Sequence, residues 1–264
     1  MADAKLTPSW NDAQAYERFM GKWSRIAGRI FLDWLALPAG LKWLDVGCGT
    51  GAVTETIRAR CASAEIVAID PAASHIAHGQ SQVKRSGVRF EVADARSMPF
   101  ETGRFDVAVS ALVLNFIPDR EKAAAEMRRV VRPGGTVAAY VWDFASGYGI
   151  GQHLSAAINE MAGSDTRGSL NADSTSQDKL NSMFASVGLT EVATRPIEIP
   201  VTFRDFDDYW ESNTGFTSPT GNFVKSLPDD GRARLQQLVK ARLHTDKNGV
   251  ISYTARVNAV RGQA

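Results

Sequence analysis

From residue 41 to residue 142 the chain alternates short apolar runs with stretches whose apolar residues recur every three or four positions. Leu41–Val46 is an apolar run. Val53 and Ile57 then carry a helical pattern. Glu65–Ile69 reads as a strand ending at Asp70, Ser74–Ser86 as a helix, and Val88–Ala93 as a strand ending at Asp94. Phe105–Ser110 is a further strand. Arg120–Val131 places Ala123, Met127, Val130 and Val131 on one helical face, and Pro133-Gly134-Gly135 reads as a turn into the strand Thr136–Trp142. Strands alternating with helices predict a doubly wound, mostly parallel α/β sheet covered on both faces. Ligands of such sheets bind at the carboxyl ends of the strands, so the residues that end each strand carry the interest.

The flanks read differently. Residues 12–36 show helical periodicity through Tyr16, Phe19, Met20, Trp23, Ile26, Ile30, Phe31, Trp34 and Leu35. Gly21 and Gly28 predict a break into two helices, and Pro38-Ala39-Gly40 a stop. Beyond Trp142, residues 145–176 are rich in Gly, Ser, Asp and Thr, with a helical piece near Leu154–Met161. Asp178–Ser186 reads as a helix, and Val192–Phe203, with its two prolines, as an edge strand. Helices are expected at 205–212 and 229–244, and the alternation of Ile251, Tyr253, Ala255, Val257 and Ala259 predicts a final strand over Val250–Val260. The expected organisation is one domain over 1–264. It has an N-terminal helical cap (1–40), a cofactor core (41–142) and remaining strands with substrate-side insertions at 143–176 and 204–249. The last of these is a helical insertion before the final strand.

Composition narrows the function. The 264 residues carry a net charge of +1, which argues against a dedicated nucleic-acid binder, whose footprint is usually strongly basic. Two cysteines (Cys48, Cys61) rule out a disulfide scaffold, and without a CxxC pair no structural zinc site is expected. No apolar run approaches the ~18 residues of a membrane helix, and the first residues lack the apolar stretch of a secretory signal. A cytoplasmic setting with no membrane partner is expected. His75 and His78 share a helix face without a cluster of acids or cysteines, which reads as a surface face and not a metal site.

The chemistry concentrates in Leu44-Asp45-Val46-Gly47-Cys48-Gly49-Thr50-Gly51. A strand runs into a glycine turn and then a helix. Glycines permit close approach of the backbone to a ligand, and a helix N-terminus favours a negative group. Gly47-x-Gly49-x-x-Ala52 with Asp70 about 20 residues on formally matches a dinucleotide fingerprint. That match makes a nicotinamide-dependent oxidoreductase one alternative, and a non-catalytic nucleoside-binding module another.

The same stretch closely resembles the cofactor loop of the Rossmann-like, class I S-adenosylmethionine-dependent methyltransferases: an acid, a small apolar residue, then Gly-x-Gly-x-Gly. Three further blocks follow in that family's order and spacing. These are Val92-Ala93-Asp94-Ala95, Phe105–Asp119, and Arg132-Pro133-Gly134-Gly135. The resemblance implies S-adenosylmethionine as cofactor, methyl transfer as activity and a small-molecule acceptor. It implies that Asp45 organises the loop and faces an ammonium group, and that Gly47, Cys48, Gly49 and Gly51 pass near the methionine part, Cys48 as a small filler. Asp70 would bind both ribose hydroxyls, Pro71 and Ala72 would line the adenine, and Asp94 and Ala95 would read its edge. Ser110 and Ala111 would flank the methionine or the sulfonium. The lead-in Tyr16–Arg25 is similar to a segment that folds over the cofactor in small-molecule methyltransferases. There Lys22 or Arg25 would meet the carboxylate and Tyr16 or Trp23 the substrate, whereas the alternative is an amphipathic helix covering the sheet. Asn115, Trp142, Tyr148 and His153 are placed by location as substrate-side candidates. Asp143 joins Asn115, Tyr148 and His153 as a candidate base. No residue is marked by the sequence as the catalytic one.

Overall fold

The computed structural model describes residues 20–82, 87–163, 171–215 and 219–264. Tyr16 and Phe19 lie outside them. Helix α1 (Lys22–Leu35) leads into β1 (Lys42–Val46), α2 (Ala52–Arg60), β2 (Glu65–Asp70), α3 (Ala73–Gln82), β3 (Val88–Val92) and β4 (Phe105–Ala111). Then come α4 (Arg120–Val130), β5 (Val131–Trp142), α5 (Gln152–Ala162), α6 (Gln177–Ser186) and β6 (Thr190–Phe203). Helices α7 (Phe206–Thr214), α8 (Pro219–Ser226) and α9 (Asp229–Lys240) precede β7 (Ile251–Gln263).

The seven strands form one sheet in the order β3-β2-β1-β4-β5-β7-β6. The first five run parallel, and β7 is antiparallel to both β5 and β6. The inner strands are apolar on both faces because helices cover both. Trp43, Val107, Val109, Ala138, Tyr140 and Trp142 pack on the face of α1, α2, α5, α7 and α9. Leu44, Val46, Ala108, Val137, Ala139 and Val141 pack on the face of α4 and α6.

The predicted break at Gly28 does not occur. Helix α1 runs through it, and a Cβ there would stand 3.5 Å from Val53 and 3.6 Å from the Tyr140 hydroxyl. Both are ordinary contact distances, so the packing does not require glycine, and the helix continues through it at the usual cost of glycine in a helix interior. The predicted turn at Pro133-Gly134-Gly135 is also absorbed: it forms a bulge where β5 shifts register against β4 between Phe105 and Val107. Gly134, at φ +73°, donates its N–H to the carbonyl of Ala264. Helix α8 had no counterpart in the periodicity. Strand β6 is the sheet edge, where Pro196 and Pro200 do not interrupt an inner ladder.

Strand β5 ends against β7 at the pair Trp142–Val257, whereas β6 and β7 stay paired as far as Phe203–Ile251. This two-stranded ribbon therefore projects past the carboxyl edge of β5. Helices α5 and α7–α9 pack around it, with Tyr209, Phe203 and Tyr253 in mutual ring contact.

Candidate functional site

The glycine loop lies at the carboxyl end of β1, between β2 and β4. Gly47, Gly49 and Gly51 have φ of +73°, +53° and +93°, a left-handed conformation that favours glycine. The loop is held from one side. The N–H groups of Gly47 and Cys48 both donate to the carbonyl of Ile69 on β2, at 2.8 and 2.9 Å. A Cβ on Gly47 would come within 2.5 Å of Val113 Cγ1, so the turn closes against the segment that follows β4. Gly51 is the N-cap of α2 and brings no capping side chain to that helix end.

Asp70 ends β2 and is 7% exposed. Its Oδ2 accepts the Gly49 N–H at 3.0 Å and its Oδ1 accepts the Ala72 N–H at 2.9 Å. One carboxylate thus fixes both the glycine loop and the turn carrying Pro71 and Ala72. His75, buried on α3, stands with Nδ1 3.6 Å from the same Oδ1. Asp45, the penultimate residue of β1, is fully buried, and its Oδ2 accepts the Thr54 hydroxyl of α2 at 2.6 Å. Its Oδ1 meets no donor among the described residues. Burial raises its pKa to about 6, assisted by the negative charge of Asp70 and opposed by the Thr54 bond. The same burial pushes the Cys48 thiol well up, which suits a filler and not a nucleophile.

Asp94 stands after β3, half exposed, and its carboxylate is occupied. Arg96 Nη2 reaches Oδ2 at 2.6 Å, Arg96 Nε reaches Oδ1 at 3.0 Å, and the Arg96 backbone N–H donates to Oδ1 at 2.8 Å. The Arg96 hydrogen bonds hold its pKa down to about 2. Ala95 beside it is buried in the core face of α4. Ser110 is fully buried and donates its hydroxyl to the carbonyl of Val46 at 3.0 Å, tying β4 to β1 where both end. Ala111 is half-buried, and next to it Leu112 holds φ +61°. A left-handed leucine is strained, and such strain tends to sit at functional edges. It persists because the Leu112 N–H donates to the carbonyl of Tyr140 at 2.7 Å.

The remaining candidates are scattered around this edge. Trp23 is 4% exposed and packs edge-on against Phe203, so it is core. Lys22 lies over the Trp23 ring, and Arg25 Nε pairs with Glu55 Oε2 at 3.3 Å. Asn115 is buried in a short 3-10 turn after β4, and its carbonyl accepts from Asn171 Nδ2 at 2.7 Å. Trp142 is buried at the end of β5, and Asp143 next to it is 2% exposed, 3.6 Å from Arg256 Nη1. Tyr148 is exposed, with the Arg256 guanidinium 4.3 Å above its ring. His153, half-buried in the first turn of α5, packs edge-on against Tyr253.

Several partners were not anticipated. Thr54 holds Asp45, Arg96 occupies Asp94, and Arg256 joins Asp143, Glu198 and Tyr148. Only Arg96, two residues from its partner, had a signal in local spacing. Among the described residues no cluster of His, Cys, Asp and Glu suits a metal ion, and no helix is long and apolar enough to cross a membrane.

A sheet ordered β3-β2-β1-β4-β5-β7-β6, with a glycine loop after β1, a carboxylate ending β2 and another just past β3, defines the class I S-adenosylmethionine-dependent methyltransferase fold. Residues 44–139 match a family model described as a methyltransferase domain. Among relatives, the chain is 30% identical to the uncharacterized protein Rv1405c of Mycobacterium tuberculosis over 44% of its own length and 42% of that protein's. It is 34% identical to the ubiquinone/menaquinone biosynthesis C-methyltransferase UbiE of Idiomarina loihiensis, over 43% of this chain and 47% of that one. The matched region therefore spans less than half of each of these two relatives. Among solved structures, phosphoethanolamine N-methyltransferase 2 of Haemonchus contortus, bound to phosphomonomethylethanolamine and S-adenosylhomocysteine, superposes with a TM-score of 0.60 at 16% identity. That match covers 97% of this chain and 57% of the nematode enzyme.

Proposed function

We propose that the protein transfers a methyl group from S-adenosylmethionine to a nucleophilic atom of a small-molecule acceptor. The observation that carries this reading is the Asp45–Gly47–Asp70 constellation. It comprises a glycine loop in left-handed geometry, a carboxylate that orders it from β2, and a buried carboxylate oxygen on β1 that meets no donor among the described residues. These residues fit the cofactor. Unsubstituted backbone allows close approach, and the charge of Asp45 and Asp70 favours a cationic ligand. A relative named for C-methylation in ubiquinone/menaquinone biosynthesis, and a structural neighbour bound to phosphomonomethylethanolamine, support a small acceptor.

When bound, the cofactor supplies an electrophilic methyl carbon on a sulfonium. The chain's part is placement: Asp70 keeps Gly49 and Ala72 in register for the ribose and adenine, Asp45 anchors the loop to α2 through Thr54, and the loop itself lies along the methionine part. Asp94 takes the adenine edge only by sharing its oxygens with Arg96. Orientation of acceptor against methyl supplies most of the acceleration in such a reaction.

S-adenosylhomocysteine at about 100 times its Kd is expected to stabilise the native state by roughly 2.7 kcal/mol, with NAD and NADP leaving the melting temperature unchanged. Stabilisation by a nicotinamide cofactor alone would overturn the reading. Asp70→Ala is expected to weaken S-adenosylhomocysteine binding by about 1–3 kcal/mol in calorimetry, the scale of losing hydrogen bonds to a charged group.

A further inference from the structure

Helix α5 starts just past the carboxyl edge of β5, and its N-cap, Gly151, contributes no capping side chain. Helix α7 crosses this first turn. The Tyr209 hydroxyl accepts the Leu154 N–H at 3.1 Å. One turn further along α7, Asn213 Oδ1 lies 3.4 Å from where a Cβ on Gly151 would stand. Asn213 is 3% exposed. Its Nδ2 donates to the Tyr209 carbonyl at 2.8 Å, which fixes the amide's orientation and leaves Oδ1 as an acceptor. That oxygen meets no donor among the described residues. Leaving a buried acceptor unpaired costs about 1–3 kcal/mol, and native interiors keep few such groups. His153 stands on the same turn, its ring edge-on to Tyr253 at 4.7 Å.

We infer that this turn seats the hydroxyl of the methyl acceptor, with Asn213 Oδ1 taking its O–H and His153 serving as the base that receives its proton. The inference rests on the methyl-transfer reading and names the acceptor class within it: a neutral, largely apolar molecule bearing a phenol-like hydroxyl. Three features select oxygen. The orphaned acceptor demands a donor, which a carbon nucleophile lacks. The amino end of α5 stabilises developing negative charge on oxygen and disfavours the cation formed when an amine is methylated. Tyr253, only partly buried where it meets His153 at the rim of the apolar cluster, suits an apolar body. Burial, with Arg242 and His244 beside it, lowers the His153 pKa, so the imidazole is neutral and able to accept a proton near pH 7. Tyr209 and Tyr253, whose rings pack here, are pushed up by burial and stay protonated. Arg242 is itself ion-paired with Glu160 of α5. In the reaction the hydroxyl's single hydrogen, held on Asn213 Oδ1 at docking, turns to the imidazole and passes to it as the oxygen's electron pair forms the new O–C bond. The C–S bond breaks with its pair going to sulfur, and the imidazolium returns its proton to water.

The test needs no natural substrate. Phenol, aniline and benzene are titrated as probes into the S-adenosylhomocysteine-saturated protein while NMR follows the His153 ring and the Asn213 side-chain amide. Phenol is expected to shift both signals and to bind about tenfold tighter than benzene or aniline. Asn213→Ala and His153→Ala are each expected to erase most of that preference while leaving S-adenosylhomocysteine affinity unchanged. Equal binding of phenol and benzene, aniline matching phenol, shifts confined to other residues, or a preference that survives in both variants would overturn the seat. If Asn213 merely caps α5, its alanine variant loses stability and keeps the preference, which also overturns it. Should that variant fail to fold, His153→Ala and the wild-type probe series still decide. Loss of S-adenosylhomocysteine binding by the wild type is a separate result and would sink the cofactor reading instead.

Discussion

At the residue scale, Asp45 is a carboxylate fully buried in an apolar strand. Its pKa of about 6 in the native state exceeds the ordinary 3.8 because no water solvates it. Between those two values the folded chain holds a proton that the unfolded chain has released. The contribution is therefore present below about pH 4, is lost as pH rises toward 6, and is flat above that. Two pK units correspond to on the order of 3 kcal/mol. Asp45→Asn can still accept the Thr54 hydroxyl, so the variant is expected to lose this fall in stability between pH 4 and 6. Denaturant unfolding at both ends of the window checks it, and an unchanged slope would assign the raised pKa elsewhere. Gly47 offers a second test. Alanine there must hold φ +73° and meet Val113 at 2.5 Å. A cost of about 2 kcal/mol or more is expected. Adding Val113→Ala should recover part of it, because the two sites are in contact and couple. Additive losses in the double-mutant cycle would show that the backbone conformation, not the contact, sets the cost.

At the element scale, Gly28 marks where sequence reading and structure part. Its φ is not left-handed, and a Cβ would make only ordinary contacts with Val53 and Tyr140. Gly28→Ala is therefore expected to stabilise the protein by about 0.5–1 kcal/mol through helix propensity and reduced freedom of the unfolded chain. A loss of stability would mean that α1 and α2 tolerate no extra methyl at their crossing. A glycine in a helical pattern carries the same letter whether it breaks the helix or lets another element approach, so local periodicity misread it. The bulge at Pro133-Gly134-Gly135 was misread for a related reason: pairing with β4 and with Ala264 is non-local. The parallel strands and their terminal acids were legible because burial on both faces writes an unbroken apolar run that stops at the ligand edge. The positions of Asp45, Gly47, Gly49, Gly51 and Asp70 followed from that. What holds Asp143, and which side chain of α7 reaches α5, depended on contacts across long sequence separations, and no periodicity reports those. Short helix α8 lacks the length over which a 3.6-residue period can be recognised.

At the scale of the whole molecule, the parallel half and the antiparallel ribbon look like separable parts, since one presents the glycine loop and the other carries the helices α7–α9. The packing argues otherwise. Trp23 and Phe31 of α1, Trp43 of β1, Tyr140 and Trp142 of β5, Tyr209 of α7 and Val239 of α9 belong to one continuous apolar cluster on a single face of the sheet. A core shared between the first described helix and the last insertion helix cannot be opened at one end without exposing the other. Urea unfolding is therefore expected to be one transition. Fluorescence of the six tryptophans, which include Trp23, Trp43 and Trp142 and, on α7, Trp210, should coincide with far-ultraviolet circular dichroism, as required of a two-state system. S-adenosylhomocysteine, bound to the parallel half, should move both curves by the same amount, because stabilising one part of a single cooperative unit stabilises all of it. An early loss of helical signal that the ligand leaves in place would separate α7–α9 as an independently folding lid. The seat proposed at Gly151 and Asn213 would then be assembled only when that lid is docked, since Asn213 sits on α7 and Gly151 on the segment leaving β5.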